Sequence, residues 1–212
     1  MRLVLISDTH NFHHRMPPLP DGDVLVHAGD LTGAGSLEEV RAFFEWFAAL
    51  PHPHKVVIAG NHDFAFERTP AQAVALVPPN VVYLKDAGVE IQGLTFWGSP
   101  WQPWFMDWAF NLPRGGPELA ARWALIPDGV DVLVTHGPPH GILDRTVGPR
   151  AYHAGCERLA ARLPGLSRLR LHVFGHIHEG YGRLVRGRTT FVNASVCDER
   201  YVPRNPPVVV TW

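Results

Sequence analysis

The sequence predicts a layered α/β protein built on two β-sheets, and two features of the chain carry that expectation. Short runs rich in Val, Ile and Leu alternate with amphipathic helical stretches through the first half. After residue 80 the pattern turns to closely spaced strands joined by turns such as Gln92-Gly93 and Arg186-Gly187. With 212 residues and no composition break that reads as a linker, the chain is expected to be one domain over 1–212.

The first apolar runs, Leu3–Ile6, Val24–Val26, Val56–Ile58, Val132–Val134 and Leu171–Phe174, each end in polar or Gly residues, as buried strands feeding loops do. Between them Ser36 is placed to cap a helix, with Glu38 and Glu39 in its first turn. Val40, Phe43, Phe44 and Phe47 follow on one face, and Pro51 and Pro53 stop it. Further helices are expected at Pro70–Val77, Pro117–Ala124 and His153–Leu163. Strands are expected at Val81–Leu84, Val89–Ile91, Leu94–Trp97, Tyr181–Val185, Thr189–Val192 and Val208–Thr211.

Composition bounds the function. Lys+Arg 19 against Asp+Glu 20, with no basic run, gives no surface for broad capture of nucleic acid, and no nucleic-acid partner is expected. No apolar run approaches the 18 residues of a membrane span, and the N-terminal apolar stretch is too short for a signal-peptide core, so a cytoplasmic protein without membrane attachment is expected. Cys156 and Cys197 form no CxxC pair and read as reduced thiols. Thirteen histidines are the unusual feature.

Five polar clusters follow predicted strands: Asp8-Thr9-His10, Gly29-Asp30, Gly60-Asn61-His62-Asp63, Thr135-His136-Gly137 and Gly175-His176-Ile177-His178. Ligands of open α/β sheets bind beyond the carboxyl ends of the strands, so these clusters are expected to meet at one rim. Residues two apart in extended backbone share a face, which would let Asp8 converge with His10 and His176 with His178. Gly29, Gly60 and Gly175 each precede a proposed ligand, where close backbone approach is needed. The set offers carboxylate, amide and imidazole but no thiolate. It suits Mn, Fe, Co, Ni or Zn better than Mg or Ca, with room for two ions about 3.5–4 Å apart sharing one carboxylate.

The ordered motifs Asp8-x-His10, Gly29-Asp30, Gly60-Asn61-His62-Asp63, His136 and Gly175-His176-x-His178 resemble the calcineurin-like metallophosphoesterase superfamily. Gly98-Ser99-Pro100-Trp101-Gln102-Pro103, Thr135-His136-Gly137-Pro138-Pro139 and Asn193-Ala194-Ser195 narrow the likeness to its metallophosphoesterase-domain-containing subgroup, related to the class III cyclic nucleotide phosphodiesterases. The resemblance implies a four-layer αββα sandwich of two mixed β-sheets flanked by helices. It implies that Asp8, His10, Asp30 and His178 hold one metal and that Asp30, Asn61, His136 and His176 hold the other, with Asp30 as the bridge. His62 would not be a ligand but a hydrogen-bond donor or general acid toward the leaving group. Some animal members of the subgroup carry Gly where this chain has His176, so the resemblance implies a competent site here.

The expected activity is hydrolysis of small phosphodiesters, 2′,3′- or 3′,5′-cyclic nucleotides among them, by a hydroxide bridging two divalent or trivalent transition-metal ions, manganese foremost. Two alternatives stand beside it: a phosphomonoesterase with the same metals, and a nucleotide-binding regulatory protein with slow turnover. A monomer or homodimer acting on a small phosphate ester is expected. Asp63 is expected to orient an imidazole. The tryptophans from Trp97 to Trp108 either pack on the sheet or stack on a base, and Asn111, Arg114 and Arg150 are weaker candidates for substrate contact. Most remaining histidines read as surface or packing residues. His140, where the subgroup leads one to expect an apolar side chain, and His153 are left between cleft and surface.

Overall fold

The computed structural model describes residues Met1–Trp212. The first sheet contains β1 (Arg2–Ile6), β2 (Val24–His27), β3 (His54–Val57) and β4 (Val82–Tyr83) in parallel, with the last strand, β13 (Val208–Thr211), antiparallel beside β1. The second holds β5 (Ala87–Ile91), β6 (Leu94–Ser99), β9 (Val132–Thr135), β10 (Leu171–Phe174), β11 (Gly182–Arg186) and β12 (Thr189–Asn193), in the order β11-β12-β10-β9-β6-β5. Its four inner strands are parallel and its edges β5 and β11 antiparallel. A two-stranded ribbon of β7 (Gln102–Pro103) and β8 (Asn111–Leu112), not foreseen from the sequence, stands apart.

Strand periodicity sorts the side chains into layers. Leu3 and Leu5 of β1, with Val24, Val26 and Val56, face Phe96, Val132, Val134, Leu171 and Val173 of the second sheet, making an inter-sheet core. Val4, Ile6, Leu25 and Val57 point the other way, onto α1 (Leu37–Ala49), α2 (Phe64–Arg68) and α3 (Pro70–Ala75). Leu133 packs outward against Leu119 and Trp123 of α4 (Pro117–Ala124) and Leu159 of α5 (Glu157–Arg162). The result is helix, sheet, sheet, helix, the architecture implied by the motifs.

The Ser36 cap is a full capping box: Ser36 Oγ accepts from Glu39 N, and the Glu39 carboxylate accepts from Ser36 N at 2.8 Å. The helix expected over His153–Leu163 begins only at Glu157. Residues 153–156 are instead tied down in bridges, Arg145 to His153 and Pro139 to Cys156, and the Asp144 carboxylate takes both His153 Nδ1 and Gly155 N. Both cysteines are free and buried, and no helix is long and apolar enough to cross a membrane.

Candidate metal centre

Parallel pairing sends the carboxyl ends of β1, β2, β3, β9 and β10 toward one edge, and a parallel bridge between Ser7 and Ser195 joins the two sheets there. The loops that follow are laced to one another by backbone bonds, Asp8 N to Gly29 O at 2.9 Å, His10 N to Asp30 O at 3.1 Å and Gly175 N to His136 O at 2.9 Å. Extended backbone is not what brings the ligands together. Asp8 (φ 56°), His10 (φ 43°), Asp30 (φ 56°) and His176 (φ 68°) are all left-handed. This conformation is uncommon outside glycine but is most accessible to Asp, Asn and His, and strain of this kind concentrates at functional sites. His176 and His178 accordingly do not converge: His176 joins Asp30 and His136, and His178 joins Asp8 and His10.

The prospective ligand atoms of Asp8, His10 and His178 lie within 4.8 Å of one another, as do those of Asp30, His136 and His176. Asp30 stands between the groups, with Oδ1 3.4 Å from His136 Nε2 and Oδ2 3.7 Å from His10 Nε2. His178 Nε2 is 3.5 Å from Asp8 Oδ1 and 3.3 Å from His10 Nε2, and Asn61 Oδ1 is 2.8 Å from His136 Nε2. The seven residues named from the sequence as ligands therefore lie together, and His62, expected not to be a ligand, stands beside them in a third such group with His10 and Asp30.

These residues fit metal ions. His136 Nδ1 donates to Ala28 O at 3.0 Å and His178 Nδ1 to Asp198 O at 2.9 Å, which turns each Nε2 lone pair inward. Lone pairs of Nε2, carboxylate and amide oxygen then face one another, an arrangement stable only around positive charge. Protons can supply that charge. Burial opposes ionisation of His136 and of His178, yet the carboxylates of Asp30 and Asp8 push both imidazoles up to about 9. Burial likewise works against charge on Asp8 and Asp30, and the imidazoles beside them outweigh it, holding both carboxyls below their ordinary value. His10 falls to about 4 and His176 to about 3, chiefly through burial, so both present neutral nitrogens.

Close packing fixes the ligands. A Cβ on Gly60 would lie 2.4 Å from Asp30 N and 2.6 Å from His136 Cε1, and one on Gly175 would lie 2.0 Å from Asp8 Oδ2. Asp8 also accepts from His176 N at 3.1 Å and from Ser195 Oγ at 2.6 Å, a support the sequence motifs contained without revealing its role. Asp63 does not orient an imidazole. It is fully buried and accepts from Gly60 N, Leu31 N, Thr32 N and Thr32 Oγ1, pinning the loop after β2 to the loop after β3. Burial and the neighbouring Asp30 charge raise it to about 6.

His62 donates Nδ1–H to Gly33 O at 2.7 Å, stands edge-on to His10 and stacks on Trp108 at 4.1 Å. A cleft of about 330 Å³ opens beside His176 and His178, walled by Trp104, Phe105, Tyr152 and Tyr201. The tryptophan-rich segment thus divides: Trp97 and Trp101 pack against the α4–α5 core, whereas Trp104 is 58% exposed at the cleft. Asn111 is structural, its Nδ2 donating to Phe105 O and Met106 O. Arg114 reaches the cleft but is engaged by Gly155 O and Glu157, and Arg150 is not part of the lining. Tyr201, against the rings of His10 and His178, carried no signal in the sequence. His13, His27, His52 and His172 are buried packing residues, His27 bonded to Thr9 Oγ1 and His172 to Thr135 Oγ1. His140 and His153 lie together on the surface.

Comparison with known proteins shows the family and the fold. The family model described as calcineurin-like phosphoesterase matches residues 1–180. The chain is 46% identical to human metallophosphoesterase domain-containing protein 1, over 99% of this chain and 70% of that protein. It is 36% identical to a UPF0046 protein of Caenorhabditis elegans, over 99% of this chain and 80% of the relative. The crystal structure of TT1561 of Thermus thermophilus superposes with a TM-score of 0.60 at 15% identity, over 91% of this chain and 88% of that one, a likeness of fold.

Proposed function

Because the chain belongs to the calcineurin-like phosphoesterase family, whose members use divalent metals, we propose that it hydrolyses small phosphodiesters with two transition-metal ions shared about Asp30. Asp8, His10, Asp30 and His178 would hold one ion, and Asp30, Asn61, His136 and His176 the other. The observation that carries the proposal is the division of the Asp30 carboxylate, one oxygen toward His136 and the other toward His10, with lone pairs converging from both sides. When bound, such ions lower the pKa of coordinated water and neutralise charge gathering on phosphoryl oxygens.

The chain's own residues supply orientation and proton transfer. Because His62 Nδ1–H is committed to Gly33 O, donation to a leaving oxygen has to come from Nε2, and the ring must then carry both protons. Stacking on Trp108 and the edge contact with His10 hold the ring in one plane for that transfer. Ser195 and the His176 amide hold Asp8 in place, and Asp63 keeps the loops bearing Asp30 and Asn61 in register. The aromatic walls favour a diester with a flat apolar group, such as a nucleobase, over a bare phosphate.

The test is hydrolysis of bis(p-nitrophenyl) phosphate by Mn²⁺-loaded protein, followed by a panel of cyclic nucleotides and monoesters under the same conditions. Asp30→Asn and Asn61→Ala should each abolish turnover while the fold persists by circular dichroism. Full activity in both variants would reject the site, and faster turnover of p-nitrophenyl phosphate than of the diester would reassign it to monoesters.

A further inference from the structure

Outside this centre, one histidine pair has no role in the chemistry above. His140 follows the ligand His136 across Gly137-Pro138-Pro139, and His153 lies on a small hairpin closed by the Arg145–His153 bridge and by Thr146 with Tyr152. The two rings face each other with centroids 5.4 Å apart at 52°. The candidate ligand pair His10 and His178 stands in a similar ring relation, with centroids 5.3 Å apart at 56°.

His153 also has the partner that metal-binding imidazoles use. Its Nδ1 is 2.7 Å from Asp144 Oδ1, so the Nδ1–H donates to the carboxylate and Nε2 is directed away from it. Asp144 is almost fully buried, with its side chain 1% accessible, while that of His153 is 50% accessible. The other carboxylate oxygen accepts from Gly141 N at 2.9 Å and from Gly155 N at 3.1 Å. A Cβ on Gly155 would approach that oxygen to 2.7 Å, so the carboxylate is held on several sides and cannot swing away. On the opposite arm, His140 N–H donates to Cys156 O at 3.1 Å, and the His140 side chain is exposed. Both backbones are thus fixed, and both rings remain open to solvent.

We propose that His140 and His153, with Asp144 behind His153, form a separate surface site for a borderline divalent cation such as Zn²⁺, Cu²⁺ or Ni²⁺, with water completing the coordination. Two imidazoles and no carboxylate oxygen facing the ion select these metals over Mg²⁺, Ca²⁺ or Mn²⁺. An ion there joins the Asp144–His153 hairpin to the Pro139–Gly141 turn. Because Thr146, Tyr152 and Ala154 line the cleft, it also stiffens one wall of the pocket.

The experiment uses Zn²⁺ alone as the probe. Wild-type chain, His140→Ala and His153→Ala are dialysed at pH 7 against the same free Zn²⁺, and bound metal is counted by plasma emission. Each variant should bind one equivalent less than wild type, and Asp144→Asn should weaken that equivalent about tenfold or more. Wild-type stoichiometry and affinity in both histidine variants would overturn the proposal. If a variant fails to fold, labelling of the wild-type chain with diethyl pyrocarbonate decides. Protection of His140 and His153 by Zn²⁺ supports the site, and equal labelling with and without Zn²⁺ rejects it.

Discussion

Gly60→Ala tests most directly whether activity depends on the packing of the two ligand sets around Asp30. Gly60 is not in a left-handed backbone, so an alanine meets no torsional obstacle and its effect is one of space. The added Cβ would stand 2.4 Å from both Asp30 N and Asp30 Oδ1 and 2.6 Å from His136 Cε1, where ordinary contacts begin at 3.4 Å. Asp30 and His136 would have to retreat by about 1 Å, a misplacement that costs on the order of 10²-fold in turnover. Overpacking of this kind costs about 1–3 kcal/mol of stability, which leaves most of the chain folded. The control is Gly137→Ala in the same rim, whose Cβ would meet Gln102 Cβ at 3.8 Å and His176 Cδ2 at 3.9 Å, both ordinary contacts. Hydrolysis of bis(p-nitrophenyl) phosphate by the two Mn²⁺-loaded variants, with thermal melts alongside, should show Gly60→Ala reduced about a hundredfold and Gly137→Ala near wild type. Activity of Gly60→Ala within threefold of wild type would refute the claim that these side chains must keep their present spacing.

Ser195→Ala removes the 2.6 Å bond to Asp8 and should weaken metal binding about tenfold, read by metal titration. In the metal-free chain His136 and His178 titrate near 9 instead of the ordinary 6.5, so their stabilising charge is fully present below about 6.5 and fades as pH rises through 9. Metal-free protein should therefore lose stability across that window in denaturant titrations. Metal binding at pH 7 should release about two protons, seen by calorimetry in buffers of different ionisation enthalpy. Trp104→Ala should leave the melting temperature unchanged, because the ring is 58% exposed, while raising KM for cyclic nucleotides at least fivefold and altering bis(p-nitrophenyl) phosphate less.

The site-bearing strand ends were readable because five apolar runs are each followed within a few residues by a metal-competent side chain, and parallel strands must deliver those ends to one edge. The Ser36 helix was readable because its cap and its apolar face agree. What the sequence concealed depends on contacts remote along the chain. Residues 153–156 have helical character but are captured by Asp144 and Pro139, so α5 starts late. Asp63 sits beside His62 in sequence yet serves the backbone of residues 31 and 32. Ser195 and Tyr201 join the site from the chain following β12, where no spacing rule points to them. His176 and His178 part company because the left-handed turn at His176 breaks the two-residue alternation of a strand.

That same torsion constrains how the protein can be altered. At positions 8, 10, 30 and 176 the residue must satisfy the conformation as well as donate an electron pair, and Asp and His are among the few side chains able to do both. Replacement by Val or Ile would lose the donor and force a disfavoured rotation together, confusing dead chemistry with a damaged scaffold. A version that preserves the shape is better made with Asn, which tolerates the turn and keeps a neutral oxygen while losing the charge, so Asn at 8 or 30 tests the carboxylate's charge apart from the backbone it sits on.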